Sequence, residues 1–340
     1  MLLAILIAAA GAAADYKIAF VATNNEPGIY VMNSNGRGVK RLTGDKRIVL
    51  TSGAWSPDGE HIMFFAFRKG DEDLGERFNL PFHFPLYAMD ADGANQSRLL
   101  DFPVRIDAAW SPDSKSILCI SSHEDPNRND PDVQKNKKPA LSALYVVDVA
   151  TREVRRLTEL GRVYSASWSP TGRQIVLTFG SPQRDVYIMN ADGSDRKRLT
   201  NRGAIYPVWS PDGQSIAFVA RDGWCVVTTH PSAEKCVRAP RTRSIAWAPD
   251  SKRLLINGES ICQPDAANCV NPASGGPFIM TGGFSPDGRK IIYQTVEGAS
   301  VFHAPSAKIM TVNVDGSDIR TLNDHLGEST MFAVSPLMDH

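Results

Sequence analysis

One phrase recurs six times along the chain with its grammar intact. It reads AWSPDGEHIMFF from Ala54, AWSPDSKSILCI from Ala109, SWSPTGRQIVLT from Ser167, VWSPDGQSIAFV from Val208, AWAPDSKRLLIN from Ala246 and GFSPDGRKIIYQ from Gly283. Each copy has a short apolar segment ending in Trp or Phe, a turn, and then an apolar-rich run. Proline fixes φ for the turn, aspartate bonds back to the backbone, and glycine accepts positive φ. The phrase therefore predicts a β-hairpin between two strands, A and B. Ser114 and Ser251 stand where the other copies have glycine. Those two turns are expected to be slightly strained or differently shaped.

A second hairpin follows the first. IYVMNSNGRGVKRLT begins at Ile29, LYAMDADGANQSRLL at Leu86, LYVVDVATREVRRLT at Leu144, VYIMNADGSDRKRLT at Val186 and IMTVNVDGSDIRTLN at Ile309. Alternating apolar residues lead into an Asx/Gly turn and a polar strand ending in Leu, which defines strands C and D. The polar character of D places it at the outer edge of a four-stranded unit. Such units, repeating every 37 to 58 residues, predict an all-β propeller, because one sheet cannot bury both faces alone and a ring of sheets can. Six A strands end at Trp55, Trp110, Trp168, Trp209, Trp247 and Phe284. The N-terminal segment from Lys17 has B, C and D but no A, and MFAVSP at Met331–Pro336 reads as an A strand without a sheet. Joining them gives seven blades and removes an exposed edge. Six blades with a loose MFAVSP tail is the alternative. In the blade around Trp247, SICQPDAANCV is all that stands for the second hairpin.

The first 14 residues, MLLAILIAAAGAAA, read as the apolar core and small-residue end of a secretory signal, so residues 15–340 are expected to form one exported propeller domain. The five cysteines fit an oxidising compartment. Cys225 and Cys236 flank one short polar turn and Cys262 and Cys269 another, so each pair is expected to bridge a hairpin. Cys119, within SILCI, reads as buried and unpaired. Lys and Arg number 37, as do Asp and Glu. The absence of a basic excess argues against nucleic-acid binding. Beyond residue 14 no apolar run is long enough to span a bilayer.

The paired phrases WSPDG and IYVMN-x-DG…RLT resemble the TolB-type propeller repeat, a relative of the WD-repeat, over nearly all of residues 16–336. The same repeat is similar to the propeller halves of prolyl oligopeptidase-type peptidases and to free-standing periplasmic propellers. Resemblance to TolB implies a periplasmic protein that docks partners, among them the peptidoglycan-associated lipoprotein. It also implies an α/β domain ahead of six blades. Here the repeats start at Tyr16 and count to seven, so a propeller alone is expected. The peptidase relatives imply a hydrolase domain, and no G-x-S-x-G occurs.

Propeller topology puts the A–B and C–D turns on one face and the B–C and D–A connections on the other. Two adjacent B–C connections are long, Phe67–Pro85 and Ser121–Ala143. They are expected to form one raised lip, with Phe78, Phe82 and Phe84 among charges suited to a partner. The bland alternative is a mobile insertion with the phenylalanines covering the blade edge. His83, His123 and His303 fall on the same face, with Glu124 and Asp125 nearby. Three histidines can hold a metal, but no local ligand motif joins them, and surface histidines are the favoured reading. Asp107, Ser165, Tyr206, Arg243, Thr281 and Thr330 precede the A strands and are expected to line the channel entrance; Tyr206 and Arg243 are candidates for holding a carboxylate or peptide end. The DADG, NADG and NVDG turns lack the acidic extension of a calcium loop. The resulting expectation is a monomeric, non-catalytic scaffold without metal or cofactor, binding an envelope protein or a small ligand. The alternative is a periplasmic hydrolase or lyase, on polysaccharide or peptide, with its site at the channel mouth.

Overall fold

The computed structural model describes residues 16–22, 27–44, 49–68, 71, 83–135, 137–138, 140–229, 233–239, 241–265, 269–272, 278–297, 306–323 and 329–334. These form seven four-stranded antiparallel sheets in a ring. Blade 1 combines Ser329–Val334 as strand A with Lys17–Ala22, Gly28–Asn33 and Lys40–Arg41 as B, C and D. Ile18 pairs with Val334 and Ala22 with Ser329, so the ring closes as the two orphan segments predict. Blades 2 to 7 span residues 49–98, 109–156, 163–198, 204–238, 245–270 and 278–321.

The physical reason for a ring lies in strand B of the first blade. Its side chains alternate between two neighbours. Ile18, Phe20 and Ala22 pack with Ile292 and Ile309 of blade 7, while Ala19 and Val21 pack with Trp55, Ile62 and Phe64 of blade 2. Seven apolar clusters among the described residues lie between the seven pairs of adjacent blades. Each fully buried large side chain contributes about 1.5–3 kcal/mol, so every blade depends on both neighbours.

The A–B turn is stapled by its serine. Ser56 Oγ donates to Asp58 Oδ1 at 2.5 Å and accepts from the His61 amide at 2.9 Å. The same pair of bonds recurs at Ser210 and Ser285. Of the two outcomes expected at Ser114 and Ser251, backbone strain occurs and a different turn shape does not. Both adopt the left-handed φ of the glycines, +61° and +58° against +74° at Gly59, and close the same backbone bond. A compensating contact accounts for the serine. Ser114 Oγ accepts from the Asp58 amide of blade 2 at 3.1 Å, and Ser251 Oγ from the Asp212 amide of blade 5 at 3.0 Å. At the same two interfaces Trp110 Nε1 donates to the Ala54 carbonyl and Trp247 Nε1 to that of Val208. The serine turns are therefore latches between blades.

The RLT ending of strand D is also explained. The Leu42 amide donates to the Ile29 carbonyl at 2.8 Å, while Thr43 Oγ1 accepts from the Ile29 amide at 2.9 Å. Leu157 with Thr158 and Leu199 with Thr200 repeat this. In blade 6 the second hairpin is reduced to Ser260–Cys262 and Cys269–Val270. Disulfides join Cys262 to Cys269 and Cys225 to Cys236, and Cys119 is free and buried.

Candidate functional site

The arginine that precedes Leu in strand D reaches back over its own blade to the B–C connection. Arg41 Nη2 donates to the Pro27 carbonyl at 2.6 Å, Arg98 Nη1 to Asp71 Oδ1 at 2.9 Å and Arg198 Nη2 to Asp185 Oδ2 at 2.6 Å. Arg156 makes a close ion pair with Glu124. Asp185 is 2% exposed and also accepts from Thr200 Oγ1 and the Gly203 amide. Asp71, equally enclosed, accepts from the Tyr87 hydroxyl as well. Four blades thus use one guanidinium each to hold the face that carries the B–C connections.

The second long connection is built rather than loose. Asp125, 1% exposed, accepts from the Asn127 amide and, across the base of the insertion, from the Leu141 amide, both at 2.9 Å. Between them Pro131–Gln134 forms a helical turn, with Asp130 Oδ1 accepting from the Asp132 amide at 2.8 Å. Val133 plugs into the core between blades 2 and 3. Ser142 exchanges both backbone bonds with Gly161, fixing the exit against the start of blade 4.

His83 and His123 are packed rather than offered to solvent. His83 is 7% exposed, on a short strand paired with Val104–Arg105, and its Nε2 accepts from the Ser122 amide at 3.3 Å. That bond joins the described parts of the two long connections. The His123 ring stacks on Phe102 with centroids 3.6 Å apart. Its Nδ1 lies 3.1 Å from Ser121 Oγ and its Nε2 3.6 Å from Glu124 Oε1. Burial holds the His123 pKa below the usual histidine range, against the opposing pull of Glu124. Phe84 packs against Phe67, with ring centroids 5.5 Å apart. Phe78, Phe82 and His303 lie outside the described residues.

Three of the expected channel residues meet. Asp107, Ser165 and Tyr206 line one cavity of about 60 Å³ with Gly53, Phe65 and Val208. Tyr206 has a φ of +56° at a register shift between Ile205 and Val208. That conformation is strained for a bulky residue, and the bulge turns the side chain inward. Desolvation raises the Asp107 pKa, and Arg105 at 2.9 Å opposes the shift. Ser165 Oγ donates to Thr178 Oγ1 at 3.0 Å. Arg243 is exposed and absent from this lining; its amide donates to Asn257 Oδ1. The side chains of Thr281 and Thr330 are outside the described set.

The model of the TolB β-propeller domain matches residues 75–338. The chain belongs to the TolB β-propeller domain family. Its similarity to the Tol-Pal system protein TolB of Anaeromyxobacter dehalogenans is 33% identity over 129 residues, 36% of this chain and 26% of that protein. With the uncharacterized peptidase YuxL of Bacillus subtilis it shares 27% identity over 206 residues, 58% of this chain and 26% of that one. The chain thus matches about a quarter of the length of these curated relatives. Among solved structures it resembles an oligogalacturonate lyase in complex with manganese, with a TM-score of 0.63 at 13% identity, covering 91% of this chain and 87% of that one. At that identity the likeness is one of fold.

Within this TolB-type propeller, sequence reasoning missed the arginine clamps and the role of Asp125. The signal was available in part: the arginine recurs before Leu in RLT, and an acid stands in the B–C connection of blades 2 and 3 and at the start of strand C in blade 4. Among the described residues no helix is long and apolar enough to cross a membrane.

Proposed function

We propose that this chain is an exported TolB-like propeller acting as a non-catalytic scaffold, docking a periplasmic or envelope protein on the rim made by residues 67–85 and 121–143. The anchored insertion carries this reading. Asp125, the helical turn and Val133 hold a charged segment in one shape, and a pre-shaped surface lowers the ordering cost of binding. Fractionation should find the protein in the periplasm with a mature start near Asp15. Affinity capture from envelope extract should lose its partner when 126–140 is replaced by a short turn. Capture unchanged by that replacement would refute the docking role.

Asp107 favours a second reading, a hydrolase or lyase working at the channel mouth. A desolvated carboxyl beside Arg105 and Tyr206 is a candidate proton donor. Turnover of oligosaccharide or peptide substrates that Asp107→Asn abolishes would establish it over the scaffold.

A further inference from the structure

The outer edge of blade 5 differs from the other outer edges described. Its strand D, Glu234–Arg238, has five residues, where the other D strands have two or three. Glu234, Lys235, Cys236 and Arg238 are exposed. The strand is fixed in register against Gly223–Thr228, with Cys236 bonded to Cys225 opposite. An open edge of this length presents backbone donors and acceptors that a further strand can complete.

Grooves flank this edge on both sides. On the blade 4 side lies one of about 930 Å³, with Phe218, Ala204 and the Cys225–Cys236 disulfide in its lining. Four arginines line it. Arg198 is held by Asp185, and Arg202 lies 3.6 Å from Glu234. Arg221 and Arg238 are exposed and have no ion-pair partner among the described residues. Asp222 and Glu234 are the acids of the lining, so basic groups outnumber them. On the blade 6 side a groove of about 450 Å³ is lined by Val226, Lys235, Lys252, Pro264 and Asp265. Side chains of a strand laid along the edge point alternately to the two sides.

We propose that strand Glu234–Arg238 accepts an extended acidic segment of a partner protein as a fifth strand of blade 5. Carboxylates at alternate positions meet Arg202, Arg221 and Arg238, and the side chains between them face the blade 6 groove. The backbone ladder supplies affinity and the guanidinium forks supply the preference for acids. This deepens the scaffold reading by naming a partner chemistry at a place separate from the rim.

The test uses the full chain and a fluorescein-labelled hexapeptide of alternating glutamate and valine, read by anisotropy. Binding should weaken with salt and fall about tenfold or more in the Arg221→Glu, Arg238→Glu double variant. Arg155→Glu, in the groove between blades 3 and 4 and outside the lining of both grooves here, should leave it unchanged. If charge reversal impairs folding, Arg221→Gln with Arg238→Gln serves in its place. A glutamate–valine hexapeptide methylated at every backbone nitrogen, which cannot donate to the ladder, should not bind. No binding of the glutamate–valine peptide at about 1 mM, equal binding of a lysine–valine peptide, or binding indifferent to the double variant would each overturn the proposal. Equal binding of the N-methylated peptide would overturn strand addition and leave charge attraction alone. Loss of envelope capture on shortening the rim, with peptide binding intact, bears on the scaffold's main face and not on this edge.

Discussion

Asp125→Ala tests whether the rim is an anchored element with a stability of its own. The carboxylate is 1% exposed and closes the insertion by accepting from amides near both of its ends, Asn127 and Leu141, each at 2.9 Å. Hydrogen bonds to a charged group contribute about 1.5–3 kcal/mol each. Water replaces part of that when the segment opens, so the variant should lose about 2–4 kcal/mol of local stability. At 1.4 kcal/mol per factor of ten, the open population rises about 30- to 700-fold. Trypsin reports it, since Arg128, Lys135 and Lys137 lie inside the closed segment and cleavage follows the open population when reclosing is fast. Cleavage there should accelerate by that factor while the main unfolding transition stays within a few degrees. An unchanged cleavage rate would show that Val133 and the helical turn hold the segment without Asp125. Simultaneous loss of the whole propeller would refute the view that the rim opens separately.

The serine latches predict a paired effect. Ser114→Ala and Ser251→Ala should each cost about 1 kcal/mol in denaturant unfolding and add when combined, because they lie in separate blades, whereas Ser→Gly relieves the backbone at φ near +60° and should come closer to neutral. Replacing Cys262 and Cys269 by serine should lower stability by about 2–3 kcal/mol from the loop they close, and a melting temperature indifferent to reductant in the wild type would contradict this. His123 gives a pH dependence. Its folded pKa is depressed by burial, so the unfolded chain binds the proton first. Stability from this group is complete above the ordinary histidine value of about 6.5 and declines as pH falls below it. His123→Phe should flatten that part of the stability-against-pH curve, and an unchanged slope would reject the assignment.

The strand order and the ring were legible because their signals are local. WSPDG and the Asx/Gly turns carry their own conformational chemistry, and the unbroken apolar run from Ile18 to Ala22 marks a strand buried on both sides. The closing pair of Ile18 and Val334 followed from counting strands. The site was less legible because its bonds run between distant segments. Nothing near Glu124 in the sequence announces Arg156, and nothing near His83 announces the Ser122 amide that it accepts. The loop placement of His83 suggested exposure, but its two-residue strand pairs with Val104–Arg105 and buries the ring. Tyr206 lines a cavity with Asp107 and Ser165 but sits inside the strand Ala204–Trp209 rather than before it, and its left-handed backbone at the bulge carries no sequence mark such as glycine.

Blade 1 borrows its innermost strand from the far end of the chain, and this sets an order on synthesis. Blades 2 to 7 each hold all four strands in one continuous stretch and are able to form as the chain emerges. The sheet begun by Lys17–Ala22 has to wait, its inner edge open, until residues 329–334 arrive. The last strand delivered is therefore the one that locks the first, and a chain halted before it leaves an unpaired edge beside Ile18 and Phe20 where another molecule's strand can enter.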